Sequence, residues 1–181
     1  MIITFEGIEG SGKSLHIKNV ARHLEKKKIS FIRLREPGGS KNSEKIRKLI
    51  LNNKSNFNKY TDLFLYLAAR SENIEKVIIK SYKKKVILID RFTDSTLAYQ
   101  HYGMGISKKI IEHLNKYLLK KIKINFTFLN IVNEKNLKKR LFKRKRLNRY
   151  DKFKHAFYKN VQKGFIRQAK LKSNKYLIVN S

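Results

Sequence analysis

The chain has 181 residues, 41% hydrophobic and 31% charged, with no cysteine and a formal net charge of +31; it is long enough for one domain that buries roughly 70% of its unfolded surface. The absence of cysteine excludes disulfides and thiolate metal centres, no apolar run approaches the roughly 20 residues of a membrane span, and the N-terminus shows no secretory pattern, so a cytoplasmic protein with no membrane partner is expected. The lysines are spread everywhere, as in Lys26–Lys28 and Lys83–Lys85, which reads as a solvated basic surface and predicts no specific nucleic-acid partner, because net charge bears on solubility more than on function.

In chain order, Ile2–Phe5 is predicted as a strand, and Ile17, Val20, Ala21 and Leu24 follow at one helical face. Ile29–Leu34 is a second strand, Lys41–Leu51 a helix with Ile46, Leu49 and Ile50 on one side, and Asp62–Tyr82 a longer helix. Val86–Ile89 is a continuous apolar run, as a strand buried on both faces should be. A helix over Lys108–Lys120, a strand at Ile124–Leu129, a basic helix from Glu134, another helix after Asp151 and a strand at Tyr176–Val179 complete the pattern. Five strands alternating with helices predict an α/β fold, a three-layer α/β/α arrangement around a five-stranded parallel sheet. No Pro/Gly/Ser-rich linker divides the chain, so residues 1–181 are expected to form a single domain.

Gly7, Ile8, Glu9, Gly10, Ser11, Gly12, Lys13 and Ser14 match G-x-x-x-x-G-K-[ST], the P-loop, between a predicted strand and a predicted helix. Glycines let backbone amides approach phosphate oxygens and the helix N-terminus adds partial positive charge. Lys13 is placed to reach the β and γ phosphates of a nucleoside triphosphate, and Ser14 to hold Mg²⁺. A P-loop requires a carboxylate at the end of a second strand for the same metal, and Asp90 after VILI supplies one.

Further blocks accompany the P-loop: Arg35-Glu36-Pro37-Gly38-Gly39, LYLAAR ending at Arg70, and DRFTDSTLAYQ from Asp90 to Gln100. In this order they resemble the bacterial thymidylate kinases, P-loop kinases that move the γ-phosphate of ATP to dTMP. The resemblance covers the chain to about residue 107 and implies ATP, dTMP and Mg²⁺ as ligands and a homodimer as the assembly. It implies that Arg91 grips the acceptor phosphate, a task suited to a planar guanidinium fork, with Arg47 as a second phosphate-gripping arginine and Arg35 at the acceptor site. Tyr66, where the family more often has Phe, would stack on thymine, and Arg70 would hydrogen-bond the base. Ser95, Thr96 and Gln100 resemble the base and sugar contacts, and Tyr99 the ring that crowds out a ribose 2′-hydroxyl. Glu9 stands at an acidic position near acceptor and metal, and Pro37 suits a cis bond or rigid turn bordering the site.

The family closes a basic lid over ATP, which here would span about residues 138–151. Because the P-loop carries Glu9, the lid is expected to supply the catalytic arginine, with Arg144, Arg146 and Arg149 as candidates and Arg149 best placed in LNRYD. Asn148 replaces the usual lid aspartate, and Met104 and His101 depart from the family's pattern. The chain ends at Ser181, just past the last predicted strand, where the family normally adds a helix; lower stability is therefore expected. Two alternatives remain at this point: another nucleotide or deoxynucleoside kinase, and a non-enzymatic P-loop protein that uses its charge to bind polynucleotides.

Overall fold

The computed structural model describes residues 1–120, 122–142 and 148–181. Five strands, β1 (Ile2–Glu6), β2 (Phe31–Arg35), β3 (Val86–Asp90), β4 (Phe126–Ile131) and β5 (Tyr176–Asn180), form one sheet in the order β2-β3-β1-β4-β5. Every pairing is parallel, so each connection crosses over through helices, which cover the faces.

Side-chain alternation divides the core between the two faces. Ile3, Phe5, Val86 and Leu88 point to one face and pack on Ile17, Ala21 and Leu24 of α1 (Lys13–Lys26). Their neighbours Ile2, Ile87 and Ile89 point to the other, against Ile74, Ile78 and Phe92. Both faces of β3 are therefore buried, as its unbroken apolar run predicts. Farther along the α1 face, Leu177 of β5, paired in register with Phe128, is half exposed.

The helices α2 (Lys41–Leu51) and α3 (Lys59–Asn73) lie on the second face with α6 (Lys108–Leu119). The helix predicted from Asp62 starts at Lys59 because the Asn58 side chain accepts from Tyr60 N and Thr61 N, a cap that satisfies two free amides. It continues through a π-helical stretch, Ile74–Ile78, into the short α4 (Ile79–Ser81). No element is predicted over residues 93–103, where the chain forms α5 (Thr93–Thr96) and a second π-helical stretch, Leu97–Gly103. Residues 94–100 are all buried, so this segment lacks the polar face by which helical periodicity is read. The basic α7 (Glu134–Phe142) and α8 (His155–Leu171) complete the fold. Among the described residues, no helix is long and apolar enough to cross a membrane.

Candidate active site

β1 and β3 are adjacent and parallel, with Phe5 opposite Asp90. Their C-terminal ends therefore deliver the P-loop and the Asp90-Arg91 pair to one edge of the sheet, where open α/β folds bind ligands. Gly7 is the first turn residue, at φ 133°, and a Cβ there would sit 2.1 Å from the Asn130 carbonyl oxygen of β4. Only glycine fits that approach. Gly12, at φ 88°, opens α1.

A cavity of about 440 Å³ extends from this edge. Its lining includes Gly10 to Ser14 of the P-loop and Glu9, Asp90 and Arg91. Arg35, Pro37, Arg47, Tyr66, Arg70, Ser95, Thr96, Tyr99 and Gln100, each assigned to the acceptor from sequence, line the same space. One cleft thus contains the amide cradle and every sequence-predicted acceptor residue.

The side chains in it form connected networks. Lys13 Nζ donates to Gly7 O at 2.9 Å and to Ile8 O at 2.8 Å. Arg91, at φ 65°, donates Nη1 to Gly7 O at 2.8 Å and Nη2 to Glu9 at 2.9 Å, and its guanidinium lies over the Tyr99 ring. The Tyr99 hydroxyl donates to the other Glu9 oxygen. Burial alone would raise the Glu9 carboxyl, but Arg91, Lys13 and the Tyr99 hydroxyl outweigh it and hold the group below its usual range. Burial, followed by repulsion from Arg91, brings the Lys13 ammonium down to about 7.

Farther along the cavity wall, the fully buried Arg70 donates Nε to Glu36 at 2.8 Å and Nη1 to Asn115 at 2.6 Å, and lies over the Phe92 ring. The Glu36–Pro37 peptide is cis, and Arg47 Nη1 donates to Pro37 O at 2.5 Å. Arg35 pairs with Glu44 at the solvent edge. Gln100 Nε2 is buried with no hydrogen-bond partner among the described residues. A buried donor left unmade is costly, and here it belongs to a residue of the cavity wall, as a ligand-binding amide should.

The metal candidates differ in their state. Both Glu9 oxygens are taken by protein donors. Asp90 Oδ1 is buried without a partner among the described residues, and the exposed Ser14 lines the same cavity. An orphaned carboxylate oxygen and a hydroxyl of the same cavity form a hard-oxygen pair of the kind Mg²⁺ takes while keeping most of its water.

Of the three predicted lid arginines, Arg149 alone lies among the described residues. Arg144 and Arg146 lie outside the described residues. Arg149 donates to the buried Asp62 carboxylate on α3 and to Ile50 O at 3.1 Å, and it does not line the cavity. Asn148 and Tyr150 do. Asn148 caps the short 3₁₀ turn Arg149–Lys152, its Oδ1 accepting from Tyr150 N, reciprocated by Asp151. Tyr150 also donates to Asp62 and packs edge-on against Tyr66 and Tyr99, 6.1 and 5.8 Å between centroids. Among the described residues of the basic stretch, Arg140 of α7 reaches the P-loop: its Nη1 donates to Gly10 O at 2.7 Å and to Ser181 Oγ at 2.9 Å. Sequence reasoning did not single out Arg140, Tyr150 or Asp62. Asp62 and its partners are 87 and 88 residues apart, and Arg140 is one cation in a run of many.

Comparison with known proteins agrees with this geometry. The family model for thymidylate kinase matches residues 5–181. Thymidylate kinase of Kosmotoga olearia is 33% identical over 181 residues, 99% of this chain and 87% of the relative. That of Thermosipho africanus is 36% identical over 179 residues, covering 98% and 89%. The crystal structure of thymidylate kinase from Ehrlichia chaffeensis superposes with a TM-score of 0.81 at 30% identity, covering 100% of this chain and 90% of that one. With a matching motif set, cleft and sheet, the chain belongs to the thymidylate kinase family and is by that membership a dTMP kinase phosphotransferase.

Proposed function

We propose the following division of labour in the reaction ATP + dTMP → ADP + dTDP. The P-loop amides from Gly7 to Ser14 cradle the ATP phosphates, and Lys13 leaves its carbonyl contacts to neutralise the β and γ groups. Arg91 turns its fork from Gly7 O to the dTMP phosphate, while Glu9 and Tyr99 keep the guanidinium in place. Tyr66 stacks on thymine, Arg70 and Gln100 read its edge, and Thr96 and Tyr99 border the sugar. Arg35, Arg47 and Pro37 close the acceptor side.

Mg²⁺ would be held by Ser14 and Asp90, where it would supply positive charge against that of the phosphates. The attacking oxygen belongs to a phosphate already ionised at neutral pH, with a second pKa of about 6 for such esters, so no general base is required. Catalysis then consists of aligning two polyanions and offsetting their repulsion. The observation that carries this reading is the convergence of Lys13 and Arg91 on the Gly7 carbonyl within one cleft.

We further propose a cytoplasmic homodimer. Leu49 of α2, Tyr60 and Phe64 of α3 and Tyr117 of α6 are large, apolar and exposed, a pattern that supports burial against a second copy.

The test is coupled ADP release across dTMP, dUMP, dCMP, dGMP and thymidine. The reading expects dTMP to give the highest kcat/KM, and a preference for thymidine or for dGMP overturns it.

A further inference from the structure

Glu6, the last residue of β1, is a buried carboxylate that phosphoryl transfer as described does not use. One of its oxygens accepts from Phe92 N at 2.8 Å and the other from Ser95 Oγ at 2.5 Å. Phe92 follows Arg91 directly, and Arg91's own N–H is held by Phe5 O at 3.0 Å. The left-handed backbone of Arg91 is thus fixed from both sides by the end of β1, an arrangement that a non-glycine residue at positive φ needs. Ser95 also accepts from Arg91 Nη1 at 3.4 Å and lines the cavity. Its hydroxyl therefore stands between Glu6 and the guanidinium assigned to the acceptor phosphate.

A hydroxyl has one proton. While Glu6 is ionised, that proton is committed to the carboxylate, and Ser95 presents only lone pairs to the cleft. Lone pairs suit Arg91 but repel a phosphate oxygen, which is itself acceptor-only. If Glu6 gains a proton from solvent, its own O–H donates to Ser95 Oγ, and the serine proton is released toward the cleft. We propose that Glu6 is a positioning residue for the acceptor phosphate: it takes up one proton when dTMP binds, and the Ser95 hydroxyl then donates to the phosphate. The inference rests on the dTMP reading above.

The surroundings favour this exchange. Burial, with the Asp94 carboxylate next, already pushes the Glu6 carboxyl up to about 7, against the opposing Ser95, Phe92 and Arg91 contacts. The charged and titratable groups facing it are Arg91, Asp94 of α5, Lys13 of α1 and Tyr176 of β5. Asp94 is itself engaged by the Tyr176 hydroxyl and by Lys172 of α8 at 3.8 Å. A phosphate dianion arriving at Arg91 both occupies the cation that lowers the Glu6 pKa and adds negative charge, so each effect drives proton uptake.

The test is isothermal calorimetry of dTMP binding to the full chain at pH 8, in two buffers of different ionisation enthalpy, without ATP. At that pH free dTMP is already a dianion and free Glu6 is mostly ionised. The expected result is uptake of more than about 0.5 proton per dTMP, none on binding thymidine, and none on binding dTMP to E6Q, whose amide donates to Ser95 permanently. Uptake that persists in E6Q assigns the proton to Lys13 and overturns the inference, as does wild-type binding without uptake. Should E6Q fail to fold, the wild-type contrast between dTMP and thymidine still decides: equal uptake with both ligands overturns it. Enzyme that phosphorylates dTMP without taking up a proton refutes only this inference; enzyme that binds no dTMP refutes the functional reading as well.

Discussion

Lys13 and Arg91 donate to the same atom: the Gly7 carbonyl oxygen accepts from Lys13 Nζ at 2.9 Å and from Arg91 Nη1 at 2.8 Å. Two cations from different strand ends thus share one neutral acceptor, an arrangement that favours anionic ligands able to separate them. Arg91→Ala removes the acceptor-side cation and leaves the P-loop intact. Steady-state kinetics should show kcat/KM for dTMP falling by about 10³-fold or more, the range for an arginine that stabilises phosphoryl charge. Binding of a non-hydrolysable ATP analogue should change less than about threefold. Arg91→Lys should recover little, because an ammonium cannot reproduce the fork. An Arg91→Ala enzyme retaining near-normal kcat/KM would remove this residue from the acceptor site.

The proximity of the two cations has a pH signature. Burial and Arg91 bring Lys13 down to about 7 in the folded protein, below the 10.5 of an ordinary lysine. Between these values the unfolded chain binds more protons than the folded one, so this group's contribution to stability rises with pH from about 7 to 10. ATP binding works in the opposite sense, since its phosphates require the ammonium and restore the proton. Affinity for a non-hydrolysable ATP analogue should therefore weaken as pH rises from 7 to 9, approaching tenfold per unit. Lys13→Arg should show a flatter profile. Calorimetric Kd values at pH 7, 8 and 9 decide it, and a wild-type affinity independent of pH contradicts the assignment.

How much of this was readable in advance follows from how far apart the interacting residues lie. The P-loop is contiguous, and its glycines and Lys13 serve one backbone turn, so the motif carries its own geometry. The strands were equally legible, because β1 and β3 are apolar runs closed by charged residues, and all five appear within a few residues of their predicted positions. The α5 segment was not, because burial on every side erases the alternation that marks a helix. Asp62, Glu6 and Arg140 were also hidden: each acts through a partner more than 80 residues away, and an isolated Asp, Glu or Arg has no local signature. Arg149 stands out in the sequence through the likeness of LNRYD to the family's lid pattern, and such a likeness carries no sign of a pairing with a carboxylate 87 residues away.

The pairing of Arg149 with Asp62 gives these two roles opposite outcomes. Asp62 is 1% exposed and takes donors from both Arg149 and Tyr150. Arg149→Met leaves it buried with its positive partner gone, a change that costs about 3–5 kcal/mol and should lower Tm by about 10 °C for a chain of this size. Adding Asp62→Asn should return part of that stability, because the uncompensated charge disappears. A thermal melt of the two variants beside the wild type is sufficient. An Arg149→Met protein with normal Tm and a collapsed kcat would instead place this arginine on the transferring phosphoryl group.

Arg140 joins three parts of the donor side: it sits on α7, donates to the P-loop at Gly10 O, and holds Ser181 Oγ, which in turn donates to Ser11 O at 2.9 Å. A Cβ at Gly10 would lie 3.4 Å from Arg140 Cβ, so the side chain leaves the helix against the loop itself. Carbonyls of a phosphate cradle must point away from the anion, and a guanidinium behind Gly10 favours that orientation. Arg140→Met keeps the apolar stem and removes the donors. It should raise KM for ATP about tenfold, the worth of one charge-assisted hydrogen bond, while KM for dTMP moves less than about twofold, since Arg140 touches nothing on the acceptor side. If both KM values rise together, Arg140 supports the whole cleft, and the donor-specific role is excluded. If neither moves, the P-loop holds its carbonyls without help from α7.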